Sequence, residues 1–477
     1  MKILIFGAGK FYQNKKKEIP SDVDVVAFLD NDPALQGKCI DGRPVISPCE
    51  ISRLIYDKVL IMSVYEKAMK NQLIDLGVKS EDILYWDQLP GAVNKGVFKL
   101  YCGNDTLWEY KKKVLIISTD LDYNGGTIAA FYAAKVLQKR GNYTIVAAPA
   151  GNRIFIDEAT QSGINIVICP ALTCMQKEVL FWVRQFDIIL VNVFQMALCA
   201  LKISRIKPVM WWIHEPGEFY EKTIDRFQEY MCREQLGLIE IYAVSDIAQK
   251  NFIFHFGNQM KGVLPYGIPD QVRKNSIQNE TDGLVFAIIG SVCPIKAQNM
   301  FIKAIRLLTE NEKRSIQFWV IGHIGNDKYS TEIKDEALTD KSIQIMGKLN
   351  RSEMYETYGK IDVVVCPSLE DSLPIVVTEG MMYGKTCIVS DKTGSARYIR
   401  NRENGLICKA GDPGDLCRQM RWVIHNREKL VAIGKKARRI YEQNFDIEIF
   451  GRRLENALQD TTNNWRLKWR NQSELSS

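Results

Sequence analysis

The chain has 477 residues, of which 46% are apolar and 25% charged, so it has the length for two or three folded domains and is not a disordered protein. Its net charge of +7 is too small for this length to indicate nucleic-acid binding, although it suits an anionic ligand. Twelve scattered cysteines without a Cys-x-x-Cys pair, and only four histidines, argue against a disulfide framework or a zinc site and favour a reducing compartment.

Neither of the most apolar stretches has the form of a membrane segment. The opening run MKILIF is too short, and too soon interrupted by glycine, for a signal sequence. The stretch over residues 188–203 contains Asn192, Gln195 and Lys202, which are costly in a membrane span. We therefore expect a cytoplasmic protein.

Three segments have the order strand, glycine turn, helix, which is typical of Rossmann-like α/β units. Each begins with an aliphatic run of strand length and continues with a helical pattern, at residues 2–9, 114–126 and 284–290. The sequence therefore predicts three α/β domains with largely parallel sheets. The expected boundaries are 1–106 for a small accessory domain, 107–272 and 273–445 for two larger lobes, and 446–477 for a C-terminal helix and tail.

The accessory domain half matches the fingerprint of a dinucleotide site. Gly7 and Gly9 follow its first strand, and Asp30 ends the second, where an acid would bind a ribose. Tyr12 replaces the third glycine, and its bulk opposes close packing of helix on strand. The stretch FLDNDPALQGKCIDGRPVIS resembles the N-terminal domains of sialic acid and bacillosamine acetyltransferases, which bind a nucleotide or sugar-nucleotide. A nucleotide site and a structural docking domain both stay open.

The next predicted domain carries two candidate ligand-binding features. Gly125 and Gly126 stand where its first helix begins, so a ligand could approach the backbone closely, or the pair forms an ordinary turn. His214 follows the strand-like run PVMWWI and precedes a Pro-Gly turn, which predicts a side chain at the carboxyl edge of the sheet. Glu215 either orients His214 or caps the turn.

The third predicted domain opens with Gly290 and Ser291 after its first strand, and Lys296 stands six residues beyond the glycine. A lysine ammonium group would stabilise a leaving group that carries two negative charges. A solvated lysine on a helix is the alternative.

The stretch CPSLEDSLPIVVTEGMMYG is the most informative part of the chain. Asp371 and Glu379 are separated by seven residues, just over two turns of helix, so both carboxylates are expected to face one cleft. Pro374 stands where a helix would begin, which leaves the N–H groups of Ile375 and Val376 free to bind an anion. A capped helix with two solvated acids is the alternative.

This stretch resembles the acid motif of the retaining glycosyltransferases of family 4, which have the GT-B fold. Their motif is Glu, seven residues, Glu; spacing gives Asp371 the first position here, with Glu370 as the alternative. The resemblance implies that the first acid and the turn through Ser372 and Leu373 lie near the donor sugar. It also implies that Glu379 binds the ribose hydroxyls.

The resemblance extends in motif order over residues 114–450. It implies that Gly125 and Gly126 form a phosphate-facing loop on the acceptor side and that His214 lies near the donor sugar. The segment VLPYGIPD resembles the hinge between the lobes, with Tyr266 in place of the family's asparagine.

One family residue is missing from the predicted diphosphate site. The family has arginine where this chain has Ser291, so Lys296 and backbone amides carry more of the charge, or Arg351 or Arg397 substitutes. The predicted catalytic residues are His214, Lys296 and Asp371. The predicted donor-binding residues are Gly125, Gly126, Gly290, Ser291, Lys296, Ser372, Leu373, Ile375, Val376 and Glu379.

The C-terminal segment NNWRLKWRNQ mixes tryptophans with basic residues. Trp465, Leu467 and Trp469 could form an interfacial surface for acidic lipid, or the segment could belong to the terminal helix that crosses back onto the first lobe in the family. We prefer the crossing helix.

The predicted fold is α/β, with two Rossmann-like GT-B lobes facing a cleft and a third, small N-terminal Rossmann-like domain. The predicted function is transfer of a hexosyl group from a nucleotide diphosphate sugar to a hydroxyl of a glycan or lipid-linked acceptor, with retention and without a metal or cofactor. The alternatives are a GT-B epimerase or phosphorylase, an NAD-dependent oxidoreductase working through the accessory domain, and a decayed binding protein.

Overall fold

A computed structural model of the protein describes residues 1–94, 96–103, 109–175, 177–227, 231, 236–257, 260–272 and 283–475. Three sheets organise these residues, each made largely of parallel strands that helices connect. Because parallel strands are covered on both faces, their side chains are almost wholly apolar and buried, as in VLII after Lys113 and VVVC before Pro367.

The accessory domain has a sheet of six strands in the order β3-β4-β2-β1-β5-β6, in which only β3 and β4 pair antiparallel. The strands are β1 Lys2–Phe6, β2 Asp24–Leu29, β3 Cys39–Ile40, β4 Arg43–Ile46, β5 Lys58–Ile61 and β6 Ile83–Tyr85. The helices are α1 Lys10–Lys15, α2 Glu66–Asp75 and α3 Leu89–Val93.

The first lobe has a sheet of eight strands in the order β14-β13-β12-β11-β8-β9-β10-β7. The strands are β7 Lys99–Tyr101, β8 Lys113–Ile117, β9 Tyr143–Ala148, β10 Asn165–Ile168, β11 Ile188–Asn192, β12 Val209–Ile213, β13 Ile239–Ala243 and β14 Met260–Val263. The helices are α4 Gly125–Lys139, α5 Arg153–Gln161, α6 Lys177–Val183, α7 Ala197–Ser204, α8 Gly217–Phe227 and α9 Asp246–Phe256.

Strand β7 belongs to a different domain from the one that the expected boundary gives it. Its residues lie within the stretch that the sequence assigned to the accessory domain, yet β7 pairs antiparallel with β10 of the first lobe, with Leu100 opposite Val167. The pairing satisfies the backbone of β10, which would otherwise be an exposed edge of the sheet. Gly103 follows β7 and packs closely against the backbone of Gly163. A Cβ on Gly103 would lie 2.3 Å from the carbonyl carbon of Gly163.

The second lobe has six parallel strands in the order β17-β16-β15-β18-β19-β20. The strands are β15 Leu284–Ile289, β16 Ile316–Ile321, β17 Ile343–Gly347, β18 Val363–Cys366, β19 Thr386–Ser390 and β20 Leu406–Cys408. The helices are α10 Gln298–Arg306, α11 Glu310–Lys313, α12 Lys328–Leu338, α13 Arg351–Lys360, α14 Ile375–Met382, α15 Pro413–His425 and α16 Leu430–Asn444.

The last helix, α17 Ile447–Leu475, runs back over the first lobe and packs against α4 and β12. Phe450 stacks on the buried Trp212 with ring centroids 5.5 Å apart, and Glu455 accepts a hydrogen bond of 2.6 Å from Arg140 Nε. Trp465 Nε1 donates to the carbonyl of Ser204 at 2.6 Å. The helix therefore ties the second lobe to the first. Within the described ranges, no helix is both long and apolar enough to cross a membrane.

One close backbone approach in the second lobe lies between Gly322 and Gly290. Gly322 has φ +145°, and a Cβ on it would lie 2.0 Å from the carbonyl oxygen of Gly290. We expect Gly322→Ala to lower the free energy of unfolding by about 2 kcal/mol or more, because it combines a steric clash with a disfavoured φ. Urea unfolding followed by tryptophan fluorescence measures the change.

Gly359→Ala is the matched control, since Gly359 lies within α13 and a Cβ there meets nothing within 4 Å. This substitution should stabilise the protein by about 0.5–1 kcal/mol. Equal stability of the two variants would contradict the close approach of Gly322 to Gly290.

Candidate active site

Asp371 lies in the loop between β18 and α14, ahead of the helix. Its N–H donates to the carbonyl of Lys392 at 3.1 Å, and its own carbonyl accepts from Gly394 at 2.9 Å. Helix α14 begins at Ile375, directly after Pro374, so Glu379 lies on the helix and Asp371 lies before it. That the two carboxylates face one cleft stays a prediction. Pairing with the loop after β19 holds Asp371 in place.

The Lys296 ammonium group forms an ion pair with the Asp371 carboxylate across the carboxyl edge of the second lobe's sheet. The Lys296 side chain is 35% exposed and that of Asp371 13%, so solvent reaches the pair from the lysine side. Burial opposes the charge on Lys296, but the neighbouring Asp371 carboxylate outweighs it and raises the pKa of the lysine above its usual value. Lys296 is therefore a fixed positive charge at the end of β15.

The turn that presents Lys296 is closed by one buried side chain. Gln298 Nε2 donates to the carbonyl of Ser291 at 3.1 Å, and Gln298 Oε1 accepts from the Cys293 N–H at 3.3 Å. Gly290 begins the turn at φ +143°, and Ala297 ends it in the left-handed region at φ +59°. Gln298 was not identified from the sequence as part of the site. An amide side chain at the first position of a helix could have indicated that it closes the preceding turn.

Glu379 lies one turn into α14 and accepts a hydrogen bond of 2.8 Å from the Tyr358 hydroxyl. The ring of Tyr358 stacks on Tyr383 with centroids 5.0 Å apart and planes 9° apart, which fixes the hydroxyl. Burial raises the pKa of Glu379, while the Tyr358 hydrogen bond and the charge of Arg351 act in the opposite direction. The carboxylate is held in one orientation, with capacity for further donors.

The start of α14 supplies backbone donors beside these groups. Pro374 precedes the helix with φ −67°, and Ile375 and Val376 occupy its first turn, where amides have no acceptor within the helix. Ser372 and Leu373 are nearly buried in the approach to the helix, and within the described residues the Ser372 hydroxyl is buried without a hydrogen-bond partner.

Tyr266 in the hinge segment contacts the same loop from the other side. Its hydroxyl donates to the carbonyl of Leu373 at 3.0 Å and lies 3.4 Å from the Thr378 hydroxyl. Burial raises the pKa of Tyr266, and the charges of Asp371 and Glu379 add to that increase. The charges of both acids therefore raise the pKa of the same buried hydroxyl. The only sequence signal for this residue is its replacement of the family's asparagine.

Glu370 points to the first lobe instead of to Lys296. Its Oε1 accepts from the Gly217 N–H at 3.0 Å and from Asn251 Nδ2 at 2.5 Å, both in the first lobe. Of the two adjacent acids, Asp371 is thus the one that pairs with Lys296. Glu370 joins the lobes at the start of α8.

His214 follows β12, and its ring packs against Trp212 with centroids 4.5 Å apart. Burial lowers the pKa of His214 to about 3, so the imidazole is neutral. Nε2 is buried and has no hydrogen-bond partner among the described residues. A neutral imidazole can donate or accept a hydrogen bond but brings no charge to a ligand.

Glu215 caps backbone amides, including that of its neighbour His214. Its two carboxylate oxygens accept from the N–H groups of Phe194 at 2.6 Å and of His214 at 2.9 Å. Burial raises the pKa of Glu215 to about 7, although these two hydrogen bonds oppose the shift. Of the two roles that the sequence left open for Glu215, these hydrogen bonds favour capping of the turn.

The glycine pair begins α4 on the opposite lobe. Asn124 caps the helix by accepting from the Thr127 N–H, and Gly125 is exposed. A Cβ on Gly126 would lie 2.9 Å from Val193, whereas one on Gly125 would meet nothing within 4 Å. Packing therefore requires glycine at Gly126, while Gly125 leaves the helix start open to solvent.

Cations of the second lobe lie over aromatic rings of the first. The Arg351 guanidinium is 5.2 Å from the centroid of the Tyr132 ring, and Lys348 Nζ is 5.3 Å from that of Tyr123. Arg351, one of the two candidate substitutes for the missing arginine, is thus engaged with an aromatic ring. The other candidate, Arg397, is exposed.

The residues of the predicted accessory-domain site lie together. Gly7, Gly9 and Asp30 line a groove of about 650 Å³ at the carboxyl edge of the first sheet. The Asp30 carboxylate accepts from the N–H groups of Ala8 and Asp32, so the acid holds the glycine turn. Tyr12 is buried, and its hydroxyl donates to Asp41 at 2.7 Å.

The raised pKa of Glu215 predicts a pH effect on stability. Its folded pKa of about 7 exceeds the ordinary 4.5, so its contribution is present below pH 4.5 and is lost as pH rises through 7. We expect the unfolding free energy of the wild type, minus that of Glu215→Gln, to fall by about 3 kcal/mol over this range. Urea unfolding at several pH values measures it.

His214 also changes stability with pH, but in the opposite direction. Because its folded pKa is lowered from 6.5 to about 3, the unfolding free energy falls as the pH is lowered below 6.5. This contribution is common to the wild type and to Glu215→Gln, and it cancels in the difference. A difference that stays level or increases with pH would show that Glu215 is ionised in its buried position.

Two family models match separate parts of the chain. Residues 270–440 match the family described as glycosyl transferases group 1, and residues 1–84 match the one described as C2185-like, N-terminal. The first match contains Lys296, Asp371 and Glu379. The second contains the glycine turn and Asp30 of the accessory domain.

Curated relatives align with part of the chain. The D-inositol 3-phosphate glycosyltransferase of Thermomonospora curvata is 24% identical over 223 residues, which are 44% of this chain and 51% of the relative. The UDP-Gal:alpha-D-GlcNAc-diphosphoundecaprenol alpha-1,3-galactosyltransferase of Escherichia coli is 25% identical over 164 residues, 31% of this chain and 41% of the relative. The chain thus spans about half the length of these relatives or less.

Solved structures share the two-lobed fold. Anabaena HepE in complex with UDP and glucose superposes with a TM-score of 0.64 at 16% identity, covering 73% of this chain and 100% of that one. Sucrose-phosphate synthase from Thermosynechococcus elongatus superposes with a TM-score of 0.59 at 12% identity, covering 73% and 99%. The chain therefore has the two-lobed GT-B fold, preceded by an additional α/β domain, and residues 270–440 within it match the glycosyl transferases group 1 model.

Proposed function

We propose that the protein is a retaining hexosyltransferase that moves a sugar from a nucleotide diphosphate donor to a hydroxyl of a glycan or lipid-linked acceptor. The observation that carries the proposal is the charged Lys296 beside Asp371, next to the open amides of α14 and the oriented carboxylate of Glu379. This set matches the three parts of such a donor, which are a diphosphate, a sugar and a ribose.

The diphosphate would be held by Lys296 and by the first turn of α14. A helix start carries partial positive charge and unpaired N–H groups, so it binds anions, and Ile375 and Val376 occupy that position. The donor's phosphate oxygens would compete with Asp371 for the lysine. Both interactions strengthen as charge builds up on the leaving group, and this differential stabilisation lowers the barrier.

The ribose would be bound by Glu379, since its carboxylate can accept from two neighbouring hydroxyls. The Tyr358 hydrogen bond of 2.8 Å fixes the carboxylate before the donor arrives, which reduces the entropy lost on binding. The sugar would then lie toward Ser372, Asp371 and the neutral His214, whose side chains can form hydrogen bonds with sugar hydroxyls.

The transfer itself would use the donor's own phosphate as the base. The bond between the anomeric carbon and the diphosphate oxygen breaks while the acceptor oxygen bonds to the same face of that carbon. The acceptor's proton passes to the departing phosphate oxygen, so the configuration is retained and charge is balanced. Contacts between the lobes, such as that of Glu370 with Gly217, would exclude water from the reaction.

The setting would be glycan or cell-surface polysaccharide synthesis in the cytoplasm, with peripheral contact to a membrane. The acceptor named for the Escherichia coli relative is linked to diphosphoundecaprenol, which supports a lipid-linked acceptor here. Leu467 and Trp469 are 61% and 47% exposed near the end of α17 and would provide such a contact. No metal or cofactor is required by this mechanism.

The direct test incubates the purified protein with UDP-, GDP- and ADP-sugars and a panel of glycosides, and follows the products by NMR. The proposal expects release of the nucleoside diphosphate and a new glycoside with the anomeric configuration of the donor. Isomerised donor, or cleavage that requires inorganic phosphate, would instead identify an epimerase or a phosphorylase.

Lys296→Ala tests the diphosphate contact. We expect the transfer rate to fall about 100-fold or more, because a charge that stabilises the leaving group is lost, and the preference for UDP over UMP to disappear. The rate of nucleotide release and the affinities from calorimetry measure the two effects. Lys303→Ala is the control, since Lys303 is exposed on the adjacent helix α10. Equal rates for the two variants would contradict the role of Lys296.

Glu379→Ala tests the ribose contact. The wild type should bind UDP about tenfold more tightly than 2′-deoxyUDP, and the variant should bind both equally, because the discriminating carboxylate is gone. Tyr358→Phe should reduce the preference without abolishing it. Glu356→Ala, an exposed acid on α13, is the control. A preference that survives in Glu379→Ala would place the ribose elsewhere.

A further inference from the structure

A cavity of about 340 Å³ lies where the accessory domain meets the first lobe. Asp87, Gln88 and Pro90 line it from the accessory domain, and Thr119, Asp120 and Gln195 are among the residues that line it from the first lobe. Its volume is at the lower end of the range, about 300–1,000 Å³, of small-ligand pockets. Two domains therefore build one pocket.

The contact between these domains is tightly packed, so the shape of the cavity is fixed. Helix α3 lies against the turn Pro170–Thr173 of the first lobe, and a Cβ on Gly91 would be 2.4 Å from the Thr173 hydroxyl. Cys174 Sγ donates to the carbonyl of Gln88 at 3.2 Å. Strand β7 then joins the accessory domain to the first lobe's sheet.

The cavity opens at the edge of the first lobe where parallel strands end. Asp120 follows β8, Pro149 follows β9 and Gln195 follows β11, and these three strands are neighbours in the sheet. Ligands of open α/β sheets bind beyond the carboxyl ends of the strands. The Asp120 carboxylate accepts from Asn124 Nδ2 at 2.8 Å, and Asn124 caps the helix that begins with the glycine pair. The cavity is thus adjacent to the acceptor side of the proposed site.

The lining has the chemistry of a site for an uncharged sugar. Asp87 and Asp120 provide carboxylates, Thr119 a hydroxyl and Gln195 an amide, while residues such as Met196 offer apolar surface. The described residues that line the cavity include neither lysine, arginine nor histidine. Phosphate would be repelled by the two acids, whereas hydroxyl groups can donate to them.

We propose that this cavity binds a sugar residue of the acceptor and that the accessory domain, through Asp87 and Pro90, selects the acceptor. The inference rests on the proposed transferase function and adds to it the acceptor subsite and a role for the additional domain. Both residues are exposed on the accessory domain and line the cavity, so a ligand there can reach them.

Asp87→Trp and Gln195→Trp test the inference from the two sides of the cavity, because an indole in either place would fill it. The probes are the methyl glycosides of glucose, galactose and N-acetylglucosamine, observed by saturation-transfer NMR with the full-length protein. At least one should bind the wild type, and its saturation transfer should fall at least tenfold in both variants. Asp22→Trp, at an exposed acid before β2, is the control and should match the wild type.

Thermal stabilisation by UDP, measured on the same samples, separates this inference from the proposed function. Stabilisation of all four proteins, together with loss of glycoside binding in the two cavity variants alone, supports the proposal. Unchanged glycoside binding in Asp87→Trp, or the absence of binding to the wild type, overturns it even if UDP binds. Absence of stabilisation by UDP, GDP and ADP in the wild type would count against the transferase function itself.

Discussion

The loop between β18 and α14 is held from both lobes, and the geometry of the candidate site depends on this constraint. Tyr266 of the hinge donates to the carbonyl of Leu373, and Glu370 accepts from Gly217 and Asn251 of the first lobe. The second lobe secures the same loop through the pairing of Asp371 with the strand-end loop after β19. Separation of the lobes would break the partly buried hydrogen bonds that Glu370 accepts from Gly217 and Asn251, and each such bond stabilises the contact between the lobes.

The charges in the cleft are arranged around that fixed loop. Lys296 stays positive because Asp371 is beside it, while His214 stays neutral because burial disfavours its charged form. Glu379 faces Tyr358 on the other side of the helix start. The second lobe thus supplies a cation and two acids with different partners, and the first lobe supplies a neutral imidazole. Each is suited to a different part of a nucleotide sugar, which is the basis of the proposed transferase function.

Local sequence patterns were enough to predict the three α/β units and the helix that begins after Pro374, because these depend on short apolar runs and turn residues. The patterns could not predict contacts between distant segments. Strand β7 joined the first lobe because β10 had an unpaired edge, and the contacts of Asp371 with Lys296 and with the loop after β19 join segments far apart in the chain. Tyr266 and Glu370 act across the lobes, which no local pattern reveals.

A crystal structure of the protein with UDP bound tests most directly whether Lys296 and α14 hold the diphosphate. We expect the β-phosphate within about 3 Å of Lys296 Nζ and of the first amides of α14, with the ribose hydroxyls on Glu379. UDP bound with its phosphates away from Lys296, for example in the groove beside Gly7 of the accessory domain, would contradict this role of Lys296.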